Sequence, residues 1–220
     1  MASSRIIKRP LSTGSGLHLL PVLKRADHGS AGTSASDTNT DSELVTKTLA
    51  GDRRAFGQLV ESYQQRVFAI AYRYMGNTAD AADLTQRVFL KAFQQLDRLT
   101  SPDRFGPWVF RIATNEAKNR LRFHSNKDFQ DIEDANLADL DNPEMTVVHR
   151  SQRDLLRRAL SKLPDRQRQC VLLRIDADLS FREIGEVVGC SEASARVNFH
   201  HALKGLKNRL SPTGTGEHHE

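Results

Sequence analysis

Residues 128–144 hold seven acids (Asp128, Asp131, Glu133, Asp134, Asp139, Asp141 and Glu144) and no Lys or Arg. Such a run repels itself and favours an extended segment over a packed one. It divides the chain into two stretches that must each build a core. With 220 residues in all, each has room for only a small domain. The net charge of +5 admits a polyanionic partner, but charge placement says more than the total.

Both stretches carry helical periodicity. In the first, Ala55, Phe56, Leu59, Val60, Tyr63, Val67, Phe68 and Ala71 form an apolar stripe. Gly76-Asn77 breaks it. Leu84, Val88, Phe89, Ala92, Phe93 and Leu96 form a second stripe, Thr100–Asp103 reads as a loop, and a third helix spans about 106–123. A helical domain over 41–125 follows, then a linker over 126–148. The second domain, 149–210, starts its helices near Val147. Leu155, Leu156, Ala159, Leu160 and Leu163 share a face; Pro164 suits a first helical position; Cys170, Val171, Leu172 and Ile175 continue the core. Ser180 and Glu183 make a capping box for a short helix that Gly189 ends, and Ser191 caps a last helix to about Leu210. Residues 1–40, rich in Ser, Thr, Gly and Ala, read as a disordered tail made basic by Arg5, Lys8, Arg9, Lys24 and Arg25. That tail is either a nucleic-acid-touching arm or a solvated leader; 211–220 is a polar tail. The expected fold class is all-α: two small helical domains joined by a flexible acidic linker, the second with a helix-turn-helix.

Several classes are disfavoured. The two cysteines, Cys170 and Cys190, form no CxxC pair, so neither a zinc knuckle nor a redox motif is expected. No apolar run approaches the roughly 18 residues of a spanning helix. Leu17–Leu23 is short and broken by Pro21, so a cytoplasmic protein is expected. There is no Gly-rich phosphate loop, nucleophile elbow or HExxH. We therefore expect no enzyme, no catalytic residue, no cofactor and no structural metal; His218-His219-Glu220 offers at most adventitious binding.

Two elements suit DNA. Residues 180–205 have the lengths of a helix-turn-helix, whose second helix enters the major groove. Its candidate exposed positions are Ser194, Arg196, Asn198, His200, His201 and Lys204. On the 106–123 helix, Arg111, Asn115, Lys118, Asn119 and Arg122 fall within an arc of about 100°. Val109, Phe110, Ala113, Ala117 and Leu121 lie opposite. Asn hydrogen-bonds bases in bidentate fashion. Trp108 beside the arc can stack on an unpaired base or belong to the core.

At this point the residues resemble a known family. Asp80-Ala-Ala-Asp-Leu-Thr-Gln-Arg-Val-Phe-Leu-Lys-Ala-Phe93 resembles the D-x-x-D-L-x-Q-x-x-F-x-x-A block of region 2 of bacterial sigma factors. Phe105-Gly-Pro-Trp-Val-Phe-Arg-Ile-Ala-Thr-Asn115 is similar to the F-x-x-W-L-x-R-I-A-x-N block that follows. Leu160-Ser-Lys-Leu-Pro-Asp-Arg-Gln-Arg168 and Ser180-Phe-Arg-Glu-Ile-Gly-Glu186 resemble region 4. Four ordered blocks point to the sigma-70 family, extracytoplasmic-function (ECF) type.

The resemblance implies a subunit that brings core RNA polymerase to promoters and helps melt them. It implies polymerase contacts at Asp80, Asp83, Leu84, Gln86 and Phe89, although Leu84 and Phe89 also fit a core. It implies capture of a flipped −10 base near Leu99–Phe105, with −10 contacts from Trp108, Arg111, Asn115, Lys118, Asn119 and Arg122. It further implies −35 reading by the last helix, a linker threading the polymerase cleft, and a possible anti-sigma partner. One stretch departs from the family. Where the family often has V-R-S-R-x-x-R-A, this chain has Ala195-Arg196-Val197-Asn198-Phe199-His200-His201-Ala202, so two arginines become Asn198 and His201. A stand-alone DNA-binding regulator would use the helix-turn-helix but leaves the 80–93 block without a purpose. A protein-binding module leaves the gathered cations without one.

Overall fold

The computed structural model describes residues 35–127 and 147–210, with side chains over 40–122 and 154–210. Regular structure among them is entirely helical: α1 (Ala35–Leu49), α2 (Arg53–Met75), α3 (Thr78–Gln94), α4 (Phe105–Lys127), α5 (Val147–Ser161), α6 (Asp165–Ile175), α7 (Phe181–Val188) and α8 (Glu192–Leu210). Short 3-10 turns at Leu96–Arg98 and Pro102–Arg104 fill the loop before α4. The expected all-α class holds. The tail to residue 34, the acidic run 128–144 and residues 211–220 lie outside the described residues.

The first unit packs α1–α4. Asp52 caps α2 by accepting from Arg54 N, and Gly76, at φ 82°, closes it by donating to Tyr72 O. Asn77 then caps α3. A left-handed residue between two caps is what the Gly-Asn pair supplies. Leu59, Tyr63, Val67 and Ile70 of α2 meet Leu84 and Val88 of α3 and Phe105, Val109 and Phe110 of α4, all essentially buried. Tyr63 sits edge-on to Phe105 at 5.3 Å and Phe110 at 5.8 Å, pairs worth about 1 kcal/mol each beyond their area.

The first helix corrects the sequence reading. It starts at Ala35, six residues before the expected boundary of 41. Over 40–49, where its side chains are described, its buried apolar residues are Leu44 and Val45, too few for a stripe. Its anchor is a buried acid, Asp41, whose carboxylate accepts from the Tyr63 hydroxyl.

The second unit packs α5–α8 around Leu160, Leu163, Leu172, Leu173, Leu179, Ile184, Phe199 and Leu206. Both halves of the Ser180–Glu183 capping box are made, and Gly189 ends α7 at φ 75°. Pro164 caps α6 one residue before its first turn. Leu155, expected on the apolar face of α5, is 49% exposed; Ala159 and Leu160 cover the core there. The helix-turn-helix turn is tight: a Cβ on Gly185 would come within 2.6 Å of the Cys190 carbonyl oxygen.

Candidate nucleic-acid interface

On α4 the core fixes where the polar arc points. Val109, Phe110, Ala113 and Ala117 are buried, which turns Asn115, Asn119 and Arg122 outward, all exposed. Arg111 is also exposed, but its guanidinium donates to the main-chain oxygen of Glu186 on α7. Lys118 is half-buried; burial holds its ammonium below the ordinary lysine value, against the opposing pull of Asp165 on α6. Trp108 is half-buried and leans on Phe105 at 6.0 Å, which ties most of the ring to the core. The loop expected to take a flipped base leads into α4, and its Arg104 pairs with the Glu186 carboxylate at 3.3 Å.

On α3 the expected polymerase contacts separate into two groups. Asp83 and Gln86 are exposed. Asp80 accepts from Asn77 Nδ2 at 2.7 Å and from Arg120 at 2.5 Å. Leu84 and Phe89, at 1% and 6% exposure, are core, so neither side chain can reach a partner from the folded helix. The apolar groups that α3 does expose are Leu90 (59%) and Phe93 (41%). Sequence reasoning put Phe93 in the buried stripe. Its ring leans edge-on against Phe56 at 5.0 Å and leaves its outer edge open. The missed signal is the row Asp83, Gln86, Leu90, Phe93, which has helical spacing of its own.

On α8, Ala195, Phe199, Ala202 and Leu206 are buried. Ser194, Arg196, His200, His201 and Lys204 are exposed. Asn198 is half-buried and donates to Ser194 O at 2.8 Å. Arg196 pairs with Glu192 at 3.0 Å and lies 4.6 Å above the Phe181 ring, so it is held back along the helix-turn-helix. Val197, 52% exposed, stands among the polar residues of this face and was missed. Among the described residues no group of three His, Cys, Asp or Glu could hold a metal ion, and no helix is long and apolar enough to cross a membrane.

Comparison with known proteins fits this geometry. Residues 59–127, which end with the α4 arc, match the model described as Sigma-70 region 2, and 153–206, which hold the helix-turn-helix, match Sigma-70, region 4. The ECF RNA polymerase sigma-E factor of Escherichia coli (strain K12) is 32% identical over 187 residues, spanning 80% of this chain and 97% of that protein. This chain belongs to the ECF sigma factors. The ECF sigma factor SigW of Bacillus subtilis is 29% identical over 76% of this chain and 94% of its own. The solved structure of CnrH in complex with the cytosolic domain of CnrY matches with TM-score 0.62 and 25% identity, over 78% of this sigma factor and 97% of that chain. RpoE of Bartonella quintana, solved with the anti-sigma factor NepR, shares the fold at TM-score 0.57 and 20% identity, over 72% and 98% of the two chains.

As an ECF sigma factor the protein is a transcription initiation factor, not an enzyme. It binds core RNA polymerase and recognises promoter DNA through regions 2 and 4. Region 2 here is α2 from Leu59 through α4; region 4 runs from α5 to Leu206.

Proposed function

We propose that this sigma factor opens promoters by holding the melted −10 strand on the outer arc of α4 while α8 reads the −35 element as duplex. The supporting observation is that Asn115, Asn119 and Arg122 are exposed on a helix whose back is locked into the core. Amides and a guanidinium held this way bind bases that have left the stack. That offsets an unstacking cost of a few kcal/mol and favours open over closed DNA. Arg111, Lys118 and the open edge of Trp108 extend the same surface. On α8, Ser194, Arg196, Asn198, His200, His201 and Lys204, with Val197 added, form the duplex-reading face. Polymerase docks on the outer row of α3, Asp83, Gln86, Leu90 and Phe93, with Asp80 at its start. The factor works in the cytoplasm beside polymerase, and an anti-sigma protein holds it inactive.

Reconstituted transcription with core polymerase on a genomic fragment library supplies start sites and hence a promoter. On it, Asn115→Ala with Asn119→Ala is expected to impair opening, read by permanganate footprinting, more than closed-complex formation. Equal loss at both steps contradicts the assigned role.

A further inference from the structure

The loop Leu99–Phe105 closes its own turns with local main-chain bonds: Leu99 N donates to Leu96 O at 3.1 Å and Arg104 N to Ser101 O at 2.9 Å. A buried polar pair sets it against the body of region 2. Tyr63 of α2 donates its hydroxyl to the Asp41 carboxyl group of α1, and the two residues are 1% and 5% exposed. The Tyr63 ring lies edge-on to Phe105, the last residue of the loop, at 5.3 Å. Its hydroxyl lies against Gly106, where an added Cβ would come within 2.9 Å of it. α1 itself runs against the Pro102–Arg104 turn. Asp41 and Tyr63 thus join α1, α2 and the first turn of α4 at the point where the loop ends. Phe105 is fully buried, so the loop cannot shift without displacing that ring. An apolar residue at 41 could pack in several ways, whereas a hydrogen bond to one hydroxyl admits a narrow range of positions. A buried acid also carries a desolvation cost that packing alone does not require.

We propose that Asp41, acting through Tyr63, is a positioning residue for base choice in the −10 element: it fixes α1 and the Leu99–Phe105 loop against α4, and so decides which base the loop accepts once that base has left the stack. This rests on reading that loop as the place that takes a flipped base. Both side chains are too buried to touch DNA themselves, so they act on selectivity rather than on the affinity that the α4 arc supplies. A hydrogen-bonding pocket keeps its selectivity only while its groups stay within about 0.5 Å of their working positions. Loss of the pair frees the loop by that much while the apolar core of region 2 remains.

The test uses holoenzyme assembled from the full chain and core polymerase, on a promoter supplied by start-site mapping. 2-Aminopurine placed along the −10 strand identifies the position whose base leaves the stack. Competition with fork-junction DNA carrying each of the four bases then gives the discrimination at every −10 position. The variants are Tyr63→Phe, Asp41→Ala, Asp41→Asn and, as a core control about two turns further along α2, Ile70→Val. Denaturant unfolding of the free chain records what each costs in stability. Tyr63→Phe and Asp41→Ala are expected to lower discrimination at the flipped position at least fivefold and to leave the other −10 positions within twofold. Asp41→Asn, which keeps an oxygen to accept from Tyr63, and Ile70→Val stay within twofold of the parent throughout. Should Asp41→Ala fail to fold, Tyr63→Phe, which keeps the ring, carries the test. Full discrimination in Tyr63→Phe, an equal loss at every position, the same loss in Ile70→Val, or an Asp41→Asn no better than Asp41→Ala overturns the positioning role. A parent in which no −10 base leaves the stack overturns instead the reading of the loop, and the proposal falls with it.

Discussion

The two DNA-facing helices, α4 and α8, are built alike and situated differently. Each is long, each has a buried back that includes two alanines and a phenylalanine, and each turns a polar face outward. In front of α4 stands α7, whose Glu186 main-chain oxygen accepts from Arg111. On the face of α8, Arg196 and Asn198 bond within the helix-turn-helix itself, to Glu192 and to the Ser194 main-chain oxygen. The faces also differ in chemistry. Both carry guanidinium, amide and ammonium groups; that of α4 adds the open edge of Trp108, suited to unpaired bases, and that of α8 adds Ser194, Val197 and two histidines, suited to groove edges and phosphates. A packed back decides where a face points, and the rest of the chain decides whether it is available.

The sharpest way to break this comparison is to collapse one unit. Phe199→Ala is expected to cost region 4 about 3–5 kcal/mol, read by denaturant unfolding. It should abolish −35 duplex binding while leaving −10 strand binding by α4 within twofold. Loss of both would mean that the units fold as one. Next in size is alkaline destabilisation, which has one reporter in each unit. Burial pushes Tyr74 of region 2 from 10.0 up to about 12 and Cys170 of region 4 from 9.0 up to about 12. The native fold therefore retains protons that the unfolded chain releases, so stability is whole below pH 9 and falls as pH rises toward 12. Tyr74→Phe should remove about 2 kcal/mol of that fall by pH 11.5, and Cys170→Ala a separate part. Unfolding curves between pH 8.5 and 11.5 check this; variants as pH-sensitive as the parent would refute it.

Smaller effects sharpen the chemical contrast. If Val197 meets a thymine methyl, uracil at one −35 position should weaken duplex binding about fourfold, the worth of one buried methylene. Val197→Ala should erase most of that discrimination; a uracil scan with no sensitive position counts against the contact. With His200 and His201 against phosphates, His200→Ala with His201→Ala should weaken −35 duplex binding about threefold at fixed salt, the worth of one modest hydrogen bond. The α4 arc from Arg111 to Arg122 holds no histidine, so −10 strand binding should not change. Unchanged affinity of α8 in that variant removes the histidines from the phosphate contacts.

Much of this was legible in the sequence because periodicity and caps are local. Gly76-Asn77, the Ser180–Glu183 box and Gly189 each mark a helix end with no help from tertiary structure, and the α4 arc follows from spacing alone. What escaped is what depends on neighbours. Leu84 and Phe89 lie in a motif that suggested contact, yet α2 and α4 bury them. Phe93 has the spacing of the core but sits at its rim. The helix from Ala35 is anchored by Asp41, an acid that no hydrophobic stripe reveals. The engagement of Arg111 with Glu186 joins residues 75 apart in sequence, a separation over which no local pattern carries information.

Gly185 bears on how this promoter code can drift. With a carbonyl oxygen where its first side-chain carbon would go, even alanine would wedge the two helices of the reading head apart and tilt the second in the groove. Descendants that keep the glycine inherit a fixed angle of attack. They can acquire new −35 preferences by exchanging side chains along α8, but not by swivelling it.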